Sequence, residues 1–166
     1  MITAMRTVAL LSLLALAAPL ARPADTDSQE SVVRAVYETI SGPAGARDWA
    51  RFRALFAEGA RLIYLRVTPE GPVPNVMTPD EYAKRLTANT EKNPFFEAEI
   101  ARRVESFGNI AHVFSTYESH RAPGDKPFAR GINSFQLVRE GKSWKVMTVL
   151  WDSEREGQAL PEKYRQ

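Results

Sequence analysis

The chain has no cysteine among its 166 residues. This excludes a disulfide scaffold, a thiol nucleophile, a thiolate zinc site and a lipid attached in the lipoprotein manner. Histidine is nearly absent too, with only His112 and His120. They lie eight residues apart on one predicted strand, at roughly 3.3 Å per residue. They therefore cannot share a metal ion, whose ligands sit about 2 Å away. No phosphate-cradling glycine loop, Gly-x-Ser-x-Gly elbow or His-Glu-x-x-His pair occurs, so neither a cofactor nor a metal is expected. Charge of one sign is also lacking. Lys and Arg number 22 against 20 Asp and Glu, and the two excess charges, Arg6 and Arg22, fall in the first 24 residues, which hold no acid. The remainder carries 20 of each sign, which argues against nucleic acid or another polyanion as partner.

The sequence also lacks an apolar run long enough to cross a membrane. Val8–Ala18 is roughly a dozen residues where a bilayer needs about 20. With Arg6 before it and Ala15-Leu16-Ala17 at its end, residues 1–24 are expected to be a secretory signal. Cleavage after Ala17, Ala21 or Ala24 is compatible with the pattern, and Met5 is an alternative start. The expected product is a free protein, periplasmic or secreted and without a membrane anchor. Residues 25–157 then form one domain and residues 158–166 a polar tail.

What is present is a change of period. Val32, Val33, Val36, Tyr37 and Ile40 mark a helical stripe, broken by Ser41-Gly42-Pro43-Ala44-Gly45. Asp48 caps a second predicted helix carrying Trp49, Phe52, Leu55 and Phe56, which ends at Glu58-Gly59. Leu62–Leu65 reads as a strand. Pro69, Gly71, Pro72 and Pro74 mark a loop. Thr78-Pro79-Asp80-Glu81 starts a third helix, with a Thr cap, Pro at the first helical position and Glu three residues on. Beyond Pro94 the period becomes two. Phe96, Ala98, Ile100 and Val104 alternate with Glu97, Glu99, Arg103 and Glu105. Turns at Gly108-Asn109, Pro123-Gly124-Asp125 and Glu140-Gly141-Lys142 separate three further strands. Helices followed by a meander indicate an α+β fold, with helices gathered on one face of a mostly antiparallel sheet.

This order resembles the nuclear transport factor 2-like superfamily, which includes SnoaL-like proteins, ketosteroid isomerases and scytalone dehydratase. The resemblance rests on Asp48-Trp49, Ala54-Leu55-Phe56-Ala57, Gly131-Ile132-Asn133-Ser134-Phe135-Gln136-Leu137, Gly141-Lys142-Ser143-Trp144-Lys145-Val146 and Trp151, and it spans nearly all of residues 30–155. It implies a conical half-barrel: three N-terminal helices packed in the concave face of a strongly curved sheet, around one deep pocket. It also implies a homodimer through the outer sheet face. The ketosteroid isomerase pocket positions fall on Met147 and Trp151, its oxyanion tyrosine on Tyr37, its oxyanion acid on Ser134 and its general base on Tyr64. A phenol near pKa 10 is a poor base, so the isomerase reaction is not expected by that route.

Strand alternation places Met147, Val149 and Trp151 inward. An unbroken register across the hairpin adds Ile132, Ser134, Gln136 and Val138. Arg102 falls between inward Ile100 and Val104, either at the rim or paired with a carboxylate such as Glu118. The expected ligand site is therefore Tyr37, Tyr64, Ser134, Gln136, Met147, Val149 and Trp151, with Asn133 a further candidate. It would bind a small apolar or weakly polar molecule through neutral hydrogen-bonding groups. In the alternative, both tyrosines only fill the core. Two other functions stay open. One is a SnoaL-like or dehydratase-like lyase or isomerase using Tyr37, Tyr64 and His112. The other is an interaction module whose outward set is Phe135, Leu137, Trp144, Val146 and Leu150.

Overall fold

The computed structural model describes residues 25–165; the expected signal segment and its cleavage sites lie outside them. Helix α1 (Gln29–Ile40) begins at Ser28, whose hydroxyl accepts from the Ser31 amide in a reciprocal capping box. Its apolar stripe of Val32, Val33, Val36 and Ile40 is buried. Helix α2 (Trp49–Ala54) is capped by Asp48 and is shorter than its sequence pattern implied. Leu55 ends it, and Phe56 already opens strand β1 (Phe56–Thr68). Tertiary pairing overrides the helical spacing here, because the Leu55 carbonyl accepts from the Val146 amide of the last strand.

The proline-rich stretch forms a strand, β2 (Gly71–Met77), paired antiparallel with β1. The loop expectation is corrected by its place in the sheet. Strand β2 is an edge, and Pro72 and Pro74 are two residues apart, so both missing N–H groups can fall on the unpaired side. Helix α3 (Pro79–Thr90) starts with the expected Thr78–Glu81 capping box. The meander follows as β3 (Phe96–Phe107), β4 (Ile110–His120), β5 (Ala129–Glu140) and β6 (Ser143–Ser153). The sheet order is β2-β1-β6-β5-β4-β3, with β1 and β6 parallel and every other pair antiparallel. The helices pack on one face of this curled sheet around Phe52, Phe135, Leu55, Val32, Val33, Val113 and Val146.

Two one-residue slips decide which side chains meet the helices. In β3, Glu99 pairs with Tyr117 and Ala101 with Thr116, so Ile100 has no partner. In β6, Val146 pairs with Leu137 and Thr148 with Gln136, so Met147 is the extra residue. A bulge of this kind reverses facing along the rest of a strand. Glu97 and Glu99 therefore face inward before Ile100, and Arg102 and Val104 after it. Trp144 and Val146 face inward before Met147, and Val149 and Trp151 after it. The partners of these residues on β5 are Arg139, Leu137, Phe135 and Asn133. Phe135, Leu137, Trp144 and Val146, expected on the outer face, are accordingly buried beneath the helices, and of that set only Leu150 is exposed.

Residues 158–165, read from sequence as a polar tail, lie against the outer face. The Thr116 hydroxyl donates to the Tyr164 carbonyl at 2.6 Å, and the Tyr164 ring lies 5.0 Å from that of Phe114. Leu160 is buried, and its amide donates to Glu154.

Among the glycines, Gly131 has the least room for a side chain. A Cβ there would lie 2.2 Å from the Asp152 carbonyl oxygen and 2.7 Å from the Tyr117 hydroxyl. Gly131→Ala is expected to destabilise the fold by about 1–3 kcal/mol. In urea titration this would appear as a lower midpoint with an unchanged slope.

Candidate functional site

Between the helices and the inner sheet face lies a cavity of about 260 Å³. This is just below the usual 300–1,000 Å³ of pockets for drug-sized ligands, so it suits a small molecule. Its walls are largely aromatic: Phe52, Tyr82, Phe95, Phe128 and Trp151 among others. Three inward strand residues supply polarity, namely Glu97, Ser119 and Asn133, together with Tyr37 and Tyr117.

Glu97 is held from both ends. Its backbone N–H donates to the Ser41 hydroxyl at 2.9 Å, and that hydroxyl lies 3.1 Å from its carbonyl oxygen. Ser41 is the C-cap of α1, so the helix end fixes the start of β3. The Ser119 hydroxyl donates to one carboxylate oxygen at 2.9 Å and the Asn133 amide to the other at 3.3 Å. Among the described residues, no Lys, Arg or His lines the cavity. Burial pushes the Glu97 carboxyl up to about 7, against the two hydrogen bonds that favour its charged form. The retained carboxylate surface contributes to the cavity wall.

Tyr37 has a different role. Ser115, fully buried, donates its proton to Glu99, which also forms an ion pair with Arg102. The Ser115 oxygen therefore accepts from the Tyr37 hydroxyl at 2.7 Å, and the Tyr37 oxygen accepts from Asn133 at 3.0 Å. The Tyr37 proton is thus committed within the wall, and burial, with Glu97 nearby, raises its pKa. Tyr82 is the opposite case. It lines the cavity, its pKa is raised by burial, and its hydroxyl has no hydrogen-bond partner among the described residues.

The site expected from sequence divides between two faces. Tyr37, Val149 and Trp151 line the cavity, as does Asn133. Tyr64 also faces inward but stands outside the lining. Its ring lies 5.8 Å from that of Trp151, and its hydroxyl accepts from Arg85 at 2.7 Å. Ser134 and Gln136 are on the outer face with their β4 partners Phe114 and His112, because the slip at Met147 breaks the register expected across the hairpin from Trp151. There Ser134 lies 3.0 Å from His112 Nε2, and Gln136 is exposed. Met147 itself is 36% exposed, as the unpaired bulge residue. Tyr37, Tyr64 and His112 do not converge, because the sheet separates His112 from both phenols. Arg102 is half-buried and pairs with Glu99 rather than Glu118.

Of the polar lining residues, Tyr82, Glu97, Tyr117 and Ser119 were missed from sequence, and Glu97 is the one that carries a carboxylate. Unbroken alternation along β3 made it part of a solvated face and implied a cavity without a carboxylate. Only the slip at Ile100 turns it inward. Asn133, named only as a further candidate, was placed on the other face because the β6 register was carried unbroken across the hairpin, past the extra residue Met147.

Inward placement of Glu97 has a consequence for stability. Its pKa is raised, from the ordinary value of 4.5 to about 7. The unfolded chain therefore releases this proton first, and the group's contribution to stability falls as pH rises from 4.5 to 7. The loss is on the order of 3 kcal/mol. Glu97→Gln is expected to be more stable than the wild type at pH 8 and to lose that advantage at pH 4.5, measured by thermal unfolding at both.

No family model and no curated protein matches the sequence. Solved structures match by shape. A nuclear transport factor 2-like protein of unknown function from Pseudomonas putida has a TM-score of 0.57 at 13% identity, covering 80% of this chain and 91% of that one. A Nostoc punctiforme protein of unknown function, described as having a cystatin-like fold, has a TM-score of 0.58 at 9% identity, covering 75% and 87%. A Parabacteroides distasonis protein provisionally named a ketosteroid isomerase has a TM-score of 0.53 at 14% identity, covering 81% and 93%. With three helices on a curled six-stranded sheet, this chain has the nuclear transport factor 2-like fold.

Proposed function

We propose that the protein binds a small, largely apolar molecule in the cavity between its helices and sheet. The observation that carries this reading is an aromatic-walled hollow with a single carboxylate, Glu97, directed into it. A space of this size at the centre of a small domain forfeits packing contacts. A bound molecule would restore them while meeting the polar atoms of Glu97 and Tyr82. Export belongs to the same proposal and rests on Arg6 and the apolar run Val8–Ala18. A homodimer through the outer face is retained only as a weaker part of it, since most of the apolar set first assigned to that face is buried.

A second reading, proton transfer of the isomerase type, is favoured by Glu97 alone. A carboxylate with its pKa near neutrality in a largely aromatic cavity is suited to take a proton from carbon and return it elsewhere. It would act without Tyr64 and His112, and without a free proton on Tyr37. Deuterium incorporation next to the carbonyl of an apolar ketone, lost in Glu97→Gln, would support this reading over simple binding.

Ala129 lines the cavity, so Ala129→Trp is expected to fill it. A cavity ligand at about 100 times its Kd should stabilise the wild type by about 2.7 kcal/mol and leave the folded Ala129→Trp protein unaffected. Thermal-shift measurements against a panel of small apolar compounds check both outcomes. Equal shifts in the two proteins would place binding elsewhere.

A further inference from the structure

We infer that the cavity selects a small apolar amine, bound as its ammonium ion against Glu97. This inference rests on the ligand-binding reading above and names its ligand class.

Four observations carry it. First, among the described residues Glu97 has no cationic partner within the cavity, only the neutral donors Ser119 and Asn133. A buried carboxylate so placed lacks a countercharge, which a bound cation would supply. Second, the other polar groups cannot provide it. Asn133 spends both amide hydrogens on Tyr37 and Glu97, and the Tyr37 proton is committed to Ser115. Two hydrogen bonds leave acceptor capacity on the carboxylate, and the Tyr82 hydroxyl can accept as well as donate. Apart from that one phenol proton, the unfilled polar capacity is that of acceptors, which an ammonium with three donors matches. Third, the walls suit a cation with an apolar body. Tyr82, Phe95, Phe128 and Trp151 present ring surface, and ring faces attract cations. Fourth, two arginines already use ring faces at this end of the molecule, from outside the lining. Arg85 lies 4.4 Å from the centre of the Tyr64 ring and Arg121 lies 4.2 Å from that of Phe128.

The charged and titratable groups around Glu97 are compatible with this. Tyr37 on α1, Tyr82 on α3 and Tyr117 on β4 are all held protonated at neutral pH by burial. Glu99 is on the same strand and paired with Arg102. Arg85 and Arg121 are outside the cavity lining, where water screens their repulsion. Binding an ammonium would require Glu97 to be ionised, so below pH 7 each binding event releases one proton.

The test uses cyclohexylmethylamine, its isostere cyclohexylmethanol and cyclohexanecarboxylate, with Kd measured by calorimetry from pH 5 to 9. At pH 8 the amine should bind at least about tenfold tighter than the alcohol. Its affinity should rise about tenfold per pH unit below 7 and level off above it, while that of the alcohol stays flat. Glu97→Gln should abolish both the preference and the slope. Equal amine and alcohol affinities at pH 8, a flat amine profile, or tighter binding of the carboxylate would each overturn the inference. Alcohol binding blocked by Ala129→Trp with no amine preference would leave the cavity as a ligand site and remove only its ligand class. Failure of all three compounds to bind would remove both. The wild-type pH profile decides the matter even if Glu97→Gln does not fold.

Discussion

The arrangement of this molecule depends on side-chain parity along its strands. A strand has two faces, and a single extra residue exchanges them. Two such residues, Ile100 and Met147, determine the inner surface. The first directs Glu97 and Glu99 inward and then restores an inward position to Val104. The second allows Trp144 and Val146 to pack beneath the helices at one end of β6, while Val149 and Trp151 form the cavity wall at the other. Without the slip at Met147, β6 would present Thr148 and Leu150 to the helices in place of Val149 and Trp151, since β5 keeps an unbroken register with β4.

The polar inner surface that results is connected. Arg102, Glu99, Ser115, Tyr37, Asn133, Glu97 and Ser119 form a continuous series of ion-pair and hydrogen-bond contacts across β3, β4, β5 and α1. Its two carboxylates are treated differently. Glu99 has a guanidinium and is neutralised within the wall. Glu97 has only neutral donors, and desolvation raises its pKa to about 7. The same series explains why Tyr37, buried and conspicuous in the sequence, does not present a free hydroxyl proton to the cavity. Hydrogen-bond direction is inherited along the chain of donors, beginning at Glu99, which can only accept when ionised.

Much of the fold was legible because it depends on local signals. Ser28, Asp48 and Thr78 act as caps through side-chain geometry within one turn. The apolar stripe of α1 and the turns at Gly108, Gly124 and Gly141 likewise depend on near neighbours. Strand β2 was missed because Pro72 and Pro74 argue against a strand unless that strand is an edge, and position in a sheet is not a local property. The end of α2 was misplaced for a similar reason, since Phe56 joins the sheet through pairing with a residue ninety positions later.

By itself the sequence determined the fold class, the order of its elements apart from β2, the absence of thiol chemistry and the inward placement of Tyr37, Val149 and Trp151. Only the tertiary structure decided that Glu97 and Asn133 enter the cavity while Ser134, Gln136 and His112 are excluded. The physical reason is that a bulge is a property of two paired strands. Whether a residue is the unpaired one depends on the register of its neighbour, which periodicity along a single strand does not encode.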